Sequence, residues 1–183
     1  MNTHHHYRKI ATCLLLGLAL AGCARREAED ETADAAAGPQ AAAKPEPPPP
    51  PKEVAAVRVE VTLSPQAEQK LKAAGETVQV EVIYGGDPAP GATLQPNELG
   101  MIELGKKVLE LQGSGVVELP ESEVDRSRLD QIVGQPQVMV NTTSGRKSTQ
   151  ENLLACAFYW DTLSTAGRDG VKVPCKLLSE AGS

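Results

Sequence analysis

The chain has 183 residues, 23 % of them charged, and a formal net charge of −6 at pH 7. An acidic balance repels phosphate backbones, whose binding depends on lysine and arginine, and so argues against nucleic acid as a partner. The length suits one folded domain with residues left over, and an aromatic content of 3 % is too small for a platform that stacks successive bases or sugars.

The first element is a basic start followed by a short apolar run. Arg8 and Lys9 precede Ile10 to Leu20, a run of about eleven residues, the length of a signal-peptide core and well short of the roughly 20 needed to span hydrocarbon. It closes on Leu20-Ala21-Gly22-Cys23, where small residues open the bond before a cysteine whose sulfur can carry a lipid. This stretch resembles the lipobox of a bacterial lipoprotein precursor. The resemblance implies cleavage after Gly22, a diacylglyceryl group on Cys23 and a further acyl chain on its amine. Two or more chains, at about 0.8 kcal/mol per buried methylene, make a stable anchor that does not span the bilayer. Ala24 stands where an aspartate commonly retains such proteins at the inner membrane, so the resemblance implies the outer membrane, with the domain facing the periplasm. Loss of residues 1–22 would remove His4, His5 and His6, the only histidines, together with Cys13. It would also move the net charge from −6 to −8, because Arg8 and Lys9 are the only charged residues there.

Residues 23–53 are expected to form the lipidated cysteine and a disordered tether. Arg25 to Asp34 is mostly acidic, Ala35 to Ala43 is small and featureless, and Lys44-Pro45-Glu46-Pro47 leads into Pro48 to Pro51. Such a segment buries too little apolar surface to fold, and its proline run favours a semi-rigid polyproline II spacer. Thirty extended residues reach on the order of 100 Å, enough to hold a domain clear of a bilayer.

Residues 54–183 read as the folded domain. Val57, Val59, Val61 and Leu63 alternate with polar neighbours, and Val78, Val80, Val82 and Tyr84 repeat the pattern, the period of strands with one buried face. Between them Ser64-Pro65 through Gly75 carries an N-cap, a first-turn proline and a glycine stop, with Ala67, Leu71 and Ala74 on one helical face. Gly85 to Gly91 reads as a loop. Met101 to Leu104, Val108 to Leu111 and Val116 to Leu119 read as strands, parted by turns at Gly105-Lys106 and Gly113-Ser114-Gly115. Ser122 to Val133 reads as a second short helix ended by Gly134, and Val138 to Val140, Asn152 to Asp161 and Val171 to Leu178 as further strands. The sum is a mainly β domain, a β-sandwich of about seven to eight short strands with one or two short helices.

With Cys13 removed and Cys23 acylated, Cys156 and Cys175 are the remaining thiols, and an exported chain meets an oxidising compartment, so they are expected to pair. No Cys-x-x-Cys spacing favours a redox pair instead. Phe158, Tyr159 and Trp160 follow one another in an apolar run; Phe158 and Trp160 are expected to fill the core beside Cys156, with Tyr159 on the opposite face.

Chemistry-bearing motifs are few. Without histidine after residue 6 there is no Ser-His-Asp or Cys-His arrangement and no His/Cys zinc set. Ser144-Gly145-Arg146-Lys147 has a Ser-x-x-Lys spacing but lacks the accompanying Ser-Asp-Asn and Lys-Thr-Gly elements of penicillin-recognising enzymes. Glu121, Glu123 and Asp125 lack calcium-loop spacing. No metal ligand, catalytic residue or cofactor is assigned. Val61-Thr62-Leu63-Ser64-Pro65 and Ser144-Gly145-Arg146-Lys147-Ser148 before Asn152-Leu153-Leu154 resemble segments of small bacterial envelope lipoproteins of no assigned activity. The layout of lipid, spacer and sandwich is similar to the outer-membrane lipoprotein of type VI secretion, an analogy of fold alone. The expected function is therefore non-enzymatic: a membrane-anchored module that binds another envelope protein, a cationic one on charge grounds. The alternative is a carboxylate-dependent hydrolase of envelope glycan, with Glu81, Glu103 and Asp161 among the acids available.

Overall fold

The computed structural model describes residues 48–182. The apolar leader, Cys23 and most of the tether lie outside the described residues. Eight strands and three α-helices follow in the order β1 (Val57–Leu63), α1 (Pro65–Ala74), β2 (Val78–Pro88), β3 (Ile102–Leu111), β4 (Gly115–Leu119), β5 (Ile132–Ser144), β6 (Leu154–Cys156), β7 (Tyr159–Thr162), α2 (Leu163–Asp169), β8 (Val171–Leu177) and α3 (Leu178–Ala181).

The strands form two four-stranded sheets, β4-β1-β8-β6 and β3-β2-β5-β7. All neighbours are antiparallel except β1 and β8, which run parallel with Val59 opposite Val171 and Leu63 opposite Cys175. From β3 onward each successive strand joins the opposite sheet. Val57, Val59 and Val61 from the first sheet and Val78, Val80, Val82, Tyr84, Val138 and Val140 from the second share one core, so the mainly β sandwich is the fold observed. Alternation explains it: the apolar positions of β1, β2 and β5 such as Val59, Val80 and Val138 face the other sheet, while most of their neighbours along each strand are polar and face outward.

The first helix forms as its local chemistry dictates. Ser64 Oγ accepts the Ala67 N–H, Pro65 opens the first turn, and Gly75 closes the helix at φ 63°, where only glycine avoids a Cβ penalty. Ala67 and Leu71 are buried, whereas Ala74 is exposed.

Four local expectations are corrected by tertiary contacts, and a helix, α2, is added to them. The loop expected from Gly85 to Gly91 begins only after Pro88, because Asp87 and Pro88 still pair with Val133 and Ile132 of β5 and β2 runs on to Pro88. Gly105 is not a turn: β3 runs through it unbroken, and a Cβ there would stand 2.2 Å from the Glu123 carbonyl oxygen, so glycine serves a close backbone approach. Residues 122–133 form no α-helix but two 3-10 turns, Glu121–Glu123 and Arg126–Gln131, after which Ile132 already starts β5. The Asn152–Asp161 strand is two strands, because the chain leaves the first sheet after Cys156 and enters the second at Tyr159. The α2 helix, unforeseen, is capped by Thr162, whose Oγ1 accepts the Thr165 N–H.

Hydrogen-bonded structure also begins before Val54. Lys52 Nζ donates to the carbonyls of Leu129 and Ile132, the latter at 2.7 Å, Glu53 N–H donates to Gln135 Oε1, and Gln135 Nε2 donates to the Pro51 carbonyl. The end of the proline run is thereby held against the start of β5. Cys156 and Cys175 are joined by a disulfide between directly opposed positions of β6 and β8, with Cα atoms 4.0 Å apart.

Candidate functional site

The most developed surface lies on the outer face of the second sheet. On β2 and β5, Val82 and Tyr84, and Val138 and Val140, face the core, which turns Ile83 and Met139 outward. Register then builds a row across the sheet: Lys106 of β3 opposite Ile83, Ile83 opposite Met139, and Met139 opposite Trp160 of β7. A second row places Val108 opposite Glu81 and Glu81 opposite Asn141. Ile83, Met139 and Met101 form an apolar cluster separate from the main core.

The connection between β2 and β3 supplies a wall. Asn97 Oδ1 accepts the N–H groups of Leu99 and Met101, and the Asn97 N–H donates to the Met101 carbonyl at 2.8 Å. This tight turn sets Met101 down over the sheet and leaves Leu99 44 % exposed. On the other side Phe158 and Trp160 stand 57 % and 47 % exposed. Their rings meet edge to face at 6.3 Å and 79°, and the Trp160 Nε1–H donates to Gln137 Oε1. The expectation that these two rings fill the core is overturned: Tyr159 instead packs against the main core, because pairing Trp160 with Met139 fixes it on the outward face.

Between these walls lies an open groove of about 680 Å³, within the range of ligand sites. Its rim carries Glu81, Glu98 and Glu103 against a single cation, Lys106. Lys106 Nζ sits 2.7 Å from Glu81 Oε1. Its pKa is raised by that hydrogen bond and charge, with smaller contributions from Glu103 and Glu98. Glu98 and Glu103 form no ion pair among the described residues.

Of the acids singled out in the sequence, Glu81 and Glu103 come together here, while Asp161 does not line the groove. The Ser-x-x-Lys pair is separated in its contacts: Ser144 Oγ accepts the Leu153 N–H, and Lys147 Nζ pairs with Glu110 at 2.9 Å. Glu121, Glu123 and Asp125 are taken by Arg126, Lys107 and Arg128 respectively. Among the described residues no three His, Cys, Asp or Glu side chains are grouped to hold a metal ion. The groove was missed by sequence reasoning, yet one signal pointed to it. Val82-Ile83-Tyr84 and Val138-Met139-Val140 break strict alternation, and apolar residues on both faces of a strand require a second apolar surface.

Comparison with family models, with curated proteins and with solved structures yields no match. Function must therefore be argued from the groove and the chemistry of the chain.

Proposed function

We propose that the protein is a non-enzymatic binding module of the bacterial envelope, anchored in the outer membrane through lipid on Cys23 and holding another envelope protein in the outer-face groove. The observation that carries this reading is the exposure of Phe158 and Trp160 beside the Ile83–Met139 floor. Large aromatic rings left exposed in a groove rimmed by polar groups are costly to leave wet, and aromatic anchors in such a setting are where binding energy concentrates. Anchoring adds to it: a tethered module meets its partner at a high effective concentration, so a weak interaction suffices.

A glycan hydrolase is the rival, since Glu81 and Glu103 share the groove. Glu81 is engaged by Lys106 at 2.7 Å, which weighs against its acting as a free acid or base. The test pairs fractionation with crosslinking. Cys23→Ser should release the protein from the membrane fraction, and a photo-crosslinker at position 158 should capture an envelope protein in the native membrane. Capture of none, together with glycan turnover abolished by Glu103→Gln, would assign the hydrolase reading instead.

A further inference from the structure

We infer that the groove takes a cationic peptide segment, basic residues interleaved with aliphatic ones, presented by another protein. This rests on the binding-module reading and names the chemistry of its ligand. The floor of Ile83 and Met139 and the walls of Leu99 and Phe158 accept an aliphatic side chain. The rim is charged unequally. Lys106 is held by Glu81 at 2.7 Å and acts on Glu98 and Glu103 only at longer range, so three carboxylates face one ammonium and the rim stays net negative. A lysine or arginine on one side of the bound aliphatic residue meets the carboxylates of the β3 side, and a second one on the other side lies against Trp160 at the β7 edge, the ring type that attracts cations best.

Other occupants fit less well. A second copy of this chain brings a net charge of −6 to an acidic rim, and like charges facing one another oppose association. An anionic peptide or a phosphate meets the same repulsion. A sugar needs a ring face to stack on, but Phe158 and Trp160 stand at 79° to one another and do not form one flat platform.

Trp160 is the sole tryptophan of the chain, so its fluorescence reports on the groove alone. The experiment uses the full chain as Cys23→Ser, titrated with a Lys-Leu-Lys-Leu-Lys peptide, a Glu-Leu-Glu-Leu-Glu peptide and an N-acetylglucosamine oligomer. The expected result is a saturable shift with the basic peptide alone. That shift should weaken as salt rises from about 0.05 to about 0.5 M, where screening collapses exposed attractions. Replacing both rim acids, Glu98→Gln with Glu103→Gln, should lower affinity about tenfold or more; Glu118→Gln, on the opposite sheet, should leave it unchanged. An unaltered thermal midpoint in the double variant ties the loss to charge rather than folding. Equal binding of the acidic peptide, wild-type affinity in the double variant, or a shift with the oligosaccharide alone overturns the inference. If the crosslinker at position 158 captures an envelope protein that the basic peptide does not displace, the ligand chemistry is wrong while the binding role stands.

Discussion

The carboxylate of Glu76 accepts the backbone N–H of Lys147 at 3.0 Å across 71 positions of sequence. It also accepts the Ser148 N–H at 2.9 Å, the Ser148 hydroxyl at 2.8 Å and the Thr77 N–H at 3.0 Å. Glu76 is buried, so it clamps the loop after β5 to the end of α1. Burial alone would raise its pKa, but the four hydrogen bonds to the charged form outweigh burial and hold it at about 2.

Glu76 therefore makes stability pH-dependent. Its folded pKa lies below the ordinary 4.5, so its contribution is complete above pH 4.5 and is lost as the pH falls toward 2. Urea unfolding at a series of pH values should show this acid limb, and Glu76→Gln should flatten it while costing about 2 kcal/mol at neutral pH by leaving buried donors poorly matched. An unchanged acid limb in the variant would refute the clamp.

Reduction of the Cys156–Cys175 bond, which closes a sequence separation of 19, is expected to cost about 3 kcal/mol in the chain-entropy account. Urea midpoints with and without reductant, and in the Cys156→Ala/Cys175→Ala protein, measure it. The reduced wild type and the double variant should agree.

Gly105→Ala should destabilise by about 2–3 kcal/mol, because overpacking against backbone cannot be relieved by a rotamer change. The Glu123 carbonyl it would strike is held in place where the Asp125 N–H donates to the Leu104 carbonyl at 2.7 Å. Gly113→Ala is the contrast: its obstruction is the Glu68 carboxylate, the far end of an exposed, flexible side chain held only by hydrogen bonds from Ser114, and its thermal midpoint should move far less.

Trp160→Ala and Phe158→Ser should each change unfolding free energy by less than about 1 kcal/mol, in contrast to the 3–5 that a core aromatic costs on truncation. Chemical denaturation of either variant checks the outward placement of the rings independently of any ligand.

Lys52→Met removes two donations to the Leu129 and Ile132 carbonyls and is expected to cost about 1 kcal/mol. Hydrogen exchange should show the Glu53 amide, bonded to Gln135, losing protection while β1 amides keep theirs.

Much of the fold was legible where the signal is local. The valines of β1 and β2, and the Ser64-Pro65…Gly75 punctuation of α1, each carry their instruction within a few residues. Where a partner lay far away the reading failed. Gly105 looked like a turn because the Glu123 carbonyl that requires a glycine arrives eighteen positions later. Asn152 to Asp161 looked like one strand because nothing local marks the crossing at Ala157 and Phe158 between opposed sheets. The groove was hidden for the same reason: Trp160 becomes an outward-facing ring only through its register with Met139.

By itself the sequence determined which residues of each strand share a face, where the first helix starts and stops, and which two cysteines pair once the others are set aside. Those follow from side-chain period, capping chemistry and elimination, all readable along the chain. Only the tertiary structure decided the strand order, the alternation of strands between sheets and the gathering of Ile83, Met139, Phe158 and Trp160 under an acidic rim. Pairing and register are set by contacts between distant segments, and the period of a strand is silent on which neighbour it will meet.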